Sequence, residues 1–218
     1  MAIAGLSQEG RDWYGVFPLR GKVLNVKDVD IQKIAKNKEV TDLKKILALK
    51  NGEDYSKEFA VWPLRYGNIM IMTDQDTDGS HIKGLIMNLF HTFWPELLER
   101  GFITSLITPI VKVTKGKKVI SFYTLTDYEN WKKKTRGGAG WRIKYYKGLG
   151  TSTSKEAKEY FESDNLKQVS YDWTPTQSAN SLDLAFNKKR ANDRKSWLKT
   201  YNRDSILDSN EMNVSFED

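Results

Sequence analysis

The stretch "NIMIMTDQDTDGSHIKGL", residues 68–85, constrains the fold more than any other part of the chain. A short, wholly apolar run ends on three alternating aspartates (Asp74, Asp76, Asp78), and a glycine and helix-spaced apolar residues follow. An apolar run of that length predicts a central strand buried on both faces. Behind it, "SHIKGLIMNLFHTFWPELLERG" predicts one long helix closed by Gly101. In open α/β sheets ligands bind beyond the carboxyl ends of the strands, so the aspartates stand where a site belongs. Oxygen ligands at this density favour a hard cation.

Three chemistries compete for such a cluster. A calcium loop of the EF-hand type needs oxygen ligands at positions 1, 3 and 5, glycine at 6 and a bidentate glutamate at 12. Counted from Asp74, the first four match, but position 12 is Leu85, and an apolar strand stands where a helix should. A phosphatase of the Asp-x-Asp-x-Thr type fails more narrowly, because Thr77 comes one place early and Asp78 takes its position. Magnesium fits best: it is held by one or two carboxylates, keeps several waters and works on phosphate oxygens. Asp74 and Asp76, two residues apart, face one side if the strand conformation persists, and two such carboxylates repel unless a cation lies between them. Asp78 begins the helix as a third ligand, a supporting group or the N-cap. The plain alternative is a solvated acidic turn that only caps the helix.

Elsewhere, "VFPLRGKVLNV" (residues 16–26) reads as extended, and Asp28–Leu49 as helical, with Asn37 or Thr41 as caps. Strands are predicted at 102–113, 118–123 and 141–146, a helix at 126–134, and a glycine turn, "KGLG", running into a helix capped by Thr153 or Ser154. This alternation predicts an α/β fold with a mainly parallel sheet and flanking helices, followed by a basic helical extension after about Asn180. The final "LDSNEMNVSFED" carries no clear pattern. With 39% apolar and 12% aromatic residues among 218, the chain can bury a core. No apolar run is long enough for a membrane span. The absence of cysteine rules out disulfides and thiolate metal sites and fits an intracellular setting. A formal charge of +7 points towards a polyanion such as nucleic acid.

Four motifs in order, "PLRGKVLNV" (18–26), "IMTDQDTDGSHIKGL" (71–85), "TPIVKV" (108–113) and "YYKGLGTS" (145–152), resemble the Toprim metal-binding domain of type IIA DNA topoisomerases. The likeness covers nearly the whole chain, including "DLAFNKKRANDRKSWL" (183–198). "DQDTDGSHIKG" is most similar to the eukaryotic and large-virus branch, and "FWPELLERGFITSLITPI" also looks like T-even bacteriophage enzymes.

The resemblance implies a Rossmann-like Toprim sheet over residues 1–175, with residues 176–218 as a helical linker towards a winged-helix domain. It implies ATP-driven passage of one duplex through a protein-linked double-strand break, with Mg2+ as cofactor. By the family's pattern Asp74, Asp76 and Asp78 hold the metal. Arg20 and Lys22 lie near the cleaved DNA and join Asp74 and Asp76 as catalytic residues. His81, Lys83 and Lys147 contact DNA, with a structural role open for His81 and Lys83. The family's Glu-Gly-Asp-Ser-Ala motif is not found, and Glu9 is no substitute, because "SQEGRDWYG" matches the part beyond it. Other topoisomerase subunits are therefore expected to supply that glutamate, the ATPase domain and the nucleophilic tyrosine, as in a split enzyme inactive on its own. The cell compartment then follows the source: a bacterial cytoplasm for a phage protein, a nucleus or viral factory otherwise. A stand-alone Toprim nuclease, or an inactive DNA- or metal-binding remnant, are the alternatives.

Overall fold

The computed structural model describes residues 5–8, 10–146, 148–161, 166–200 and 213–215. In chain order the elements are α1 (Gly10–Trp13), α2 (Ile31–Ala35), α3 (Lys38–Leu47), α4 (Glu58–Val61), β1 (Ile69–Ile71), α5 (Thr77–Phe93), α6 (Pro95–Glu99), β2 (Ile103–Leu106), β3 (Val111–Lys115), β4 (Lys118–Phe122), α7 (Leu125–Lys134), β5 (Arg142–Tyr145), α8 (Ser154–Phe161), β6 (Gln168–Asp172), α9 (Pro175–Phe186), α10 (Ala191–Thr200) and β7 (Asn213–Ser215).

Two sheets organise them. The first has the order β1-β2-β6-β7, with β1 parallel to β2 (Ile69 opposite Ile103), β2 antiparallel to β6 and β6 parallel to β7. The second is an antiparallel trio, β4-β3-β5. The architecture is the expected α/β with flanking helices, but the sheet is mixed rather than mainly parallel. Residues 102–113 split into β2 and β3, which belong to different sheets, around Thr108 and Pro109. The terminal segment read as patternless contributes β7, whose Val214 is buried beside Tyr171.

The helical expectations hold with two breaks. Asn37 caps α3 by accepting the Val40 N–H at 3.0 Å, so the run from Asp28 becomes two helices. The long helix after the aspartates stops at Trp94 because Pro95, which has no N–H to give, starts α6; the chain then turns at Gly101 (φ +65°). Trp94 itself is almost fully buried and donates its indole N–H to the Lys50 carbonyl at 2.8 Å.

The main core runs along α5, whose Leu85–Phe90 segment is buried throughout. Val23 and Val26 of the extended segment, Leu47 and Leu49, Leu97 and Phe102 close on it. Leu182 and Phe186 bring α9 into the same core, while α10 has no buried residue. A polar rivet holds the extended segment in place. Asn25 donates to the Phe186 carbonyl at 3.0 Å and accepts from the buried Asn88 at 3.1 Å. A smaller core of Val111, Val113, Phe122 and Tyr128 joins α7 to the three-stranded sheet, with Trp131 and Trp141 edge-to-face at 5.4 Å.

Truncating Trp94 removes both a large buried ring and a satisfied indole N–H. The Trp94→Ala chain should lose about 3–5 kcal/mol of stability, measured as a lowered urea midpoint with an unchanged slope. A loss under about 1 kcal/mol would show that the break between α5 and α6 collapses around the cavity.

Candidate metal centre and nucleic-acid interface

β1 delivers the chain to the acidic loop. It ends at Ile71, two residues before the buried Thr73, and the backbone reaches Asp76 in an extended conformation that stops the strand and starts α5. The three aspartates then part company. Asp76 caps the helix, its Oδ1 accepting the Gly79 N–H at 2.7 Å. Asp78 lies exposed in the first helical turn and pairs with Lys22 at 2.6 Å. Asp74 is half-buried, and its Oδ1 accepts the Leu149 N–H at 2.7 Å. The N-cap role considered for Asp78 belongs to Asp76, because that residue keeps the extended backbone an N-cap requires.

Two glycines make the loop possible. A Cβ on Gly79 would lie 2.0 Å from the Asp74 carbonyl oxygen, so only glycine lets the first turn of α5 close on the strand end. A Cβ on Gly148 would lie 2.6 Å from Asp74 Oδ2 and 2.8 Å from Oδ1. The "KGLG" turn is thus pressed flat on the carboxylate, which is the physical reason for its glycine.

That turn is braced from both sides by Glu156, a residue the sequence reading did not single out. Its carboxylate takes two bonds from Lys144 of β5 (2.7 and 2.9 Å), one from the Tyr146 hydroxyl, and one from the Thr153 N–H at 2.7 Å. Thr153 returns its Oγ1 to the Glu156 N–H at 3.3 Å, a capping box that opens α8. Burial works against the Glu156 charge, but Lys144, Thr153 and Tyr146 more than offset it and hold the carboxyl down at about 2. Burial, then the Glu156 carboxylate, pushes the Tyr146 phenol far above its ordinary value. The capping-box spacing Thr153-x-x-Glu156 was the signal available in the sequence.

The remaining candidates fall around this loop. Arg20 and Lys22 lie on the exposed stretch that crosses the start of α5, and the Lys22 hydrogen bond, with its charge, holds the Asp78 carboxyl below its usual range. His81 is exposed one turn further and stacks on Phe186 at 6.1 Å. Lys83 is half-buried, and burial lowers its ammonium pKa. Lys147 lies outside the described residues. Gln75, between the first two aspartates, donates to the Leu106 carbonyl of β2 at 3.3 Å and ties the loop to the neighbouring strand.

The donor set decides which divalent cation the loop suits. Among the described residues no three carboxylates or imidazoles gather closely enough to form a cage. Asp74 and Asp76 each spend one oxygen on a backbone N–H and keep the other free of hydrogen bonds among the described residues. The buried Thr73 hydroxyl has no partner there either. Two half-used carboxylates and an unsatisfied hydroxyl suit magnesium, which keeps much of its water, better than calcium, which takes six to eight oxygen ligands and draws more of them from the protein.

A strand-end acidic loop capping a helix, overlaid by a glycine turn from a second chain segment, defines a Toprim-class domain. Comparison with known families agrees: residues 2–108 match the Toprim domain and residues 106–218 the C-terminal associated domain of TOPRIM, and the chain belongs to that family. Its relatives include DNA topoisomerase 2 of Arabidopsis thaliana, 50% identical over 100% of this chain, and of Plasmodium falciparum, 48% identical over 99%. Human DNA topoisomerase 2-alpha is 48% identical over 94% of it. The chain spans only 13–15% of the length of these proteins. The crystal structure of the Plasmodium falciparum topoisomerase II DNA-binding, cleavage and re-ligation domain superposes with a TM-score of 0.90 at 48% identity, covering 99% of this chain and 29% of that one. Among the described residues no helix is long and apolar enough to cross a membrane.

Because the Glu156 carboxyl sits at about 2 in the folded chain against an ordinary 4.5, its contribution is complete above about pH 4.5 and is lost as the pH falls towards 2. The unmodified chain should therefore lose stability over that interval more steeply than Glu156→Gln, read as urea midpoints at stepped pH. Parallel curves would show that the brace carries no net stability.

Proposed function

We propose that this chain is the metal- and backbone-binding part of a type II DNA topoisomerase, acting where a duplex is cut and resealed. The observation that carries this reading is the Asp74 carboxylate clamped under the Gly148–Leu149 turn beside the capped start of α5, in a chain about half identical to topoisomerase 2 proteins along its full length. In this reading Asp74 and Asp76 hold Mg2+ through their free oxygens, and Asp78 tunes the site through Lys22. When bound, the ion supplies charge neutralisation at the phosphate oxygens and the leaving 3′ oxygen.

The chain's own residues do the rest. Arg20 and Lys22, both exposed, hold the phosphodiester backbone without reading sequence. A phosphate approaching Lys22 competes with Asp78 for the ammonium and frees that carboxylate as it binds. His81, Lys83 and Lys147 extend the backbone contact along α5 and the glycine turn. The helices after residue 175 lead towards the domain that carries the tyrosine. ATP hydrolysis, the nucleophile and the further acidic residue come from other parts of the assembly, whether on one polypeptide or several.

The test is a magnesium-dependent relaxation assay on supercoiled DNA, with this chain assembled with the polypeptides that carry the ATPase and tyrosine domains. Asp76→Ala should abolish relaxation, a loss of at least 100-fold, while leaving assembly intact by co-purification. Gly148→Ala, which displaces the turn from Asp74, should raise the magnesium concentration needed for half-maximal activity. Full activity of Asp76→Ala at ordinary magnesium would remove the metal role from this loop.

A further inference from the structure

The chain's positive charge is not where its aspartates are. Val111–Tyr146, the segment of the three-stranded sheet and α7, holds ten of the 35 lysines and arginines but only two of the 28 acidic residues. Its net +8 exceeds the +7 of the whole chain, so everything else, the aspartate loop included, sums to −1.

Within the segment the charges divide into two groups. Lys112 and Lys144, opposite each other on β3 and β5, face α8 and are paired with Glu159 (3.4 Å) and Glu156 (2.7 Å). Both acidic residues, Asp127 and Glu129, lie in the first half of α7. On α7 itself Lys132 pairs with Glu129 (3.7 Å) and Lys133 is exposed, and the remaining six collect at the opposite end. Lys115, Lys117 and Lys118 form the β3–β4 turn, all exposed. Arg142 opens β5 directly opposite Thr114, one residue from that turn, and the Gly140 backbone before it runs alongside the Lys115 ammonium. Lys134 and Arg136, exposed at the end of α7 and in the short helical turn after it, lead straight into that approach. None of these six has an ion-pair partner among the described residues. In the basic helical segment the lysines are exposed as well, but the two arginines are engaged. Arg190 is spent on Asp183 and Asp193, and Arg194 on the Leu184 and Asn187 carbonyls.

Six uncompensated cations held at one end of a rigid sheet repel one another and draw in a polyanion. We infer that this end of the three-stranded sheet is a second phosphate-binding surface, which grips the backbone of duplex DNA outside the aspartate loop. The geometry sets the reach. β5 connects the two places, with Arg142 at the basic end and Gly148 on Asp74 at the other, six residues apart. At about 3.3 Å per residue they are separated by at most about 20 Å. That is about six base pairs along a duplex axis, so the partner is the flank of the same duplex that enters the aspartate loop. Contacts of this kind go to phosphates and position the duplex without specifying sequence.

The test is duplex binding by the 218-residue chain in EDTA, followed by fluorescence anisotropy across a salt series, so that the metal site plays no part. Lys115→Gln/Lys117→Gln/Lys118→Gln should reduce the slope of log K against log salt by about two to three and weaken binding to a 30-base-pair duplex at least tenfold. The matched control, Lys33→Gln/Lys36→Gln/Lys45→Gln, removes the same charge from exposed positions on α2, its C-cap and α3 and should change the slope by less than one. An unchanged slope in the turn variant, or an equal change in the control, would overturn the surface. Because EDTA removes magnesium from every arm, a failure here is separable from a failure of the magnesium-dependent reading.

Discussion

Everything at the candidate site depends on one contact: the Asp74 carboxylate accepting the Leu149 N–H, with the Gly148 backbone lying across its face. It joins two pieces of chain 75 residues apart. A backbone donor to a carboxylate is a charge-assisted bond, shorter and stronger than a neutral one. It also orients the carboxylate, leaving one oxygen for other work. A loop as small as "KGLG" would not hold such a geometry by itself. It does so because β5 runs into it from one side, α8 leaves it on the other, and Glu156 bonds to both. Four hydrogen bonds from Lys144, Tyr146 and the Thr153 N–H on one carboxylate are more than a surface capping box needs. They make sense as the fixed frame that sets where Gly148 and Leu149 lie.

The same economy explains how the extended segment at residues 18–26 stays in place without belonging to a sheet. Its apolar side chains, Val23 and Val26, enter the core, and Asn25 trades hydrogen bonds with Asn88 and the end of α9. The Asn25 side chain thus ties a segment that belongs to no ladder to both α5 and α9. Arg20 and Lys22 are thereby carried across the start of α5. Their position is a consequence of the core, while their exposure leaves the charges available.

Much of this was legible from residue patterns. The apolar run before the aspartates, the helix after them, the Asn37 cap and the capping-box helix at α8 each follow from local rules that tertiary contacts did not override. The mixed sheet was not legible, because strand direction is set by which strands meet across long separations: β2 pairs with β6 over more than sixty residues. β7 was missed for a similar reason. A three-residue edge strand with one buried valine leaves no periodicity to detect. The aspartate cluster was legible as a site but not in its internal division, since alternation in sequence says nothing about which carboxylate will cap a helix. Only the backbone at Asp76 decides that.

The division of labour among the three aspartates also answers why such a cluster is stable before any ion arrives. Three carboxylates spaced two residues apart would strain the loop by mutual repulsion if all faced one point. Here each has its own compensation. Asp76 faces the positive end of α5, Asp78 has Lys22, and Asp74 has the Leu149 N–H. None of these partners neutralises its charge inside a closed pocket, and the two N–H donors occupy one oxygen each. The loop is therefore held by these bonds alone, and each of Asp74 and Asp76 keeps one oxygen for the ion proposed there.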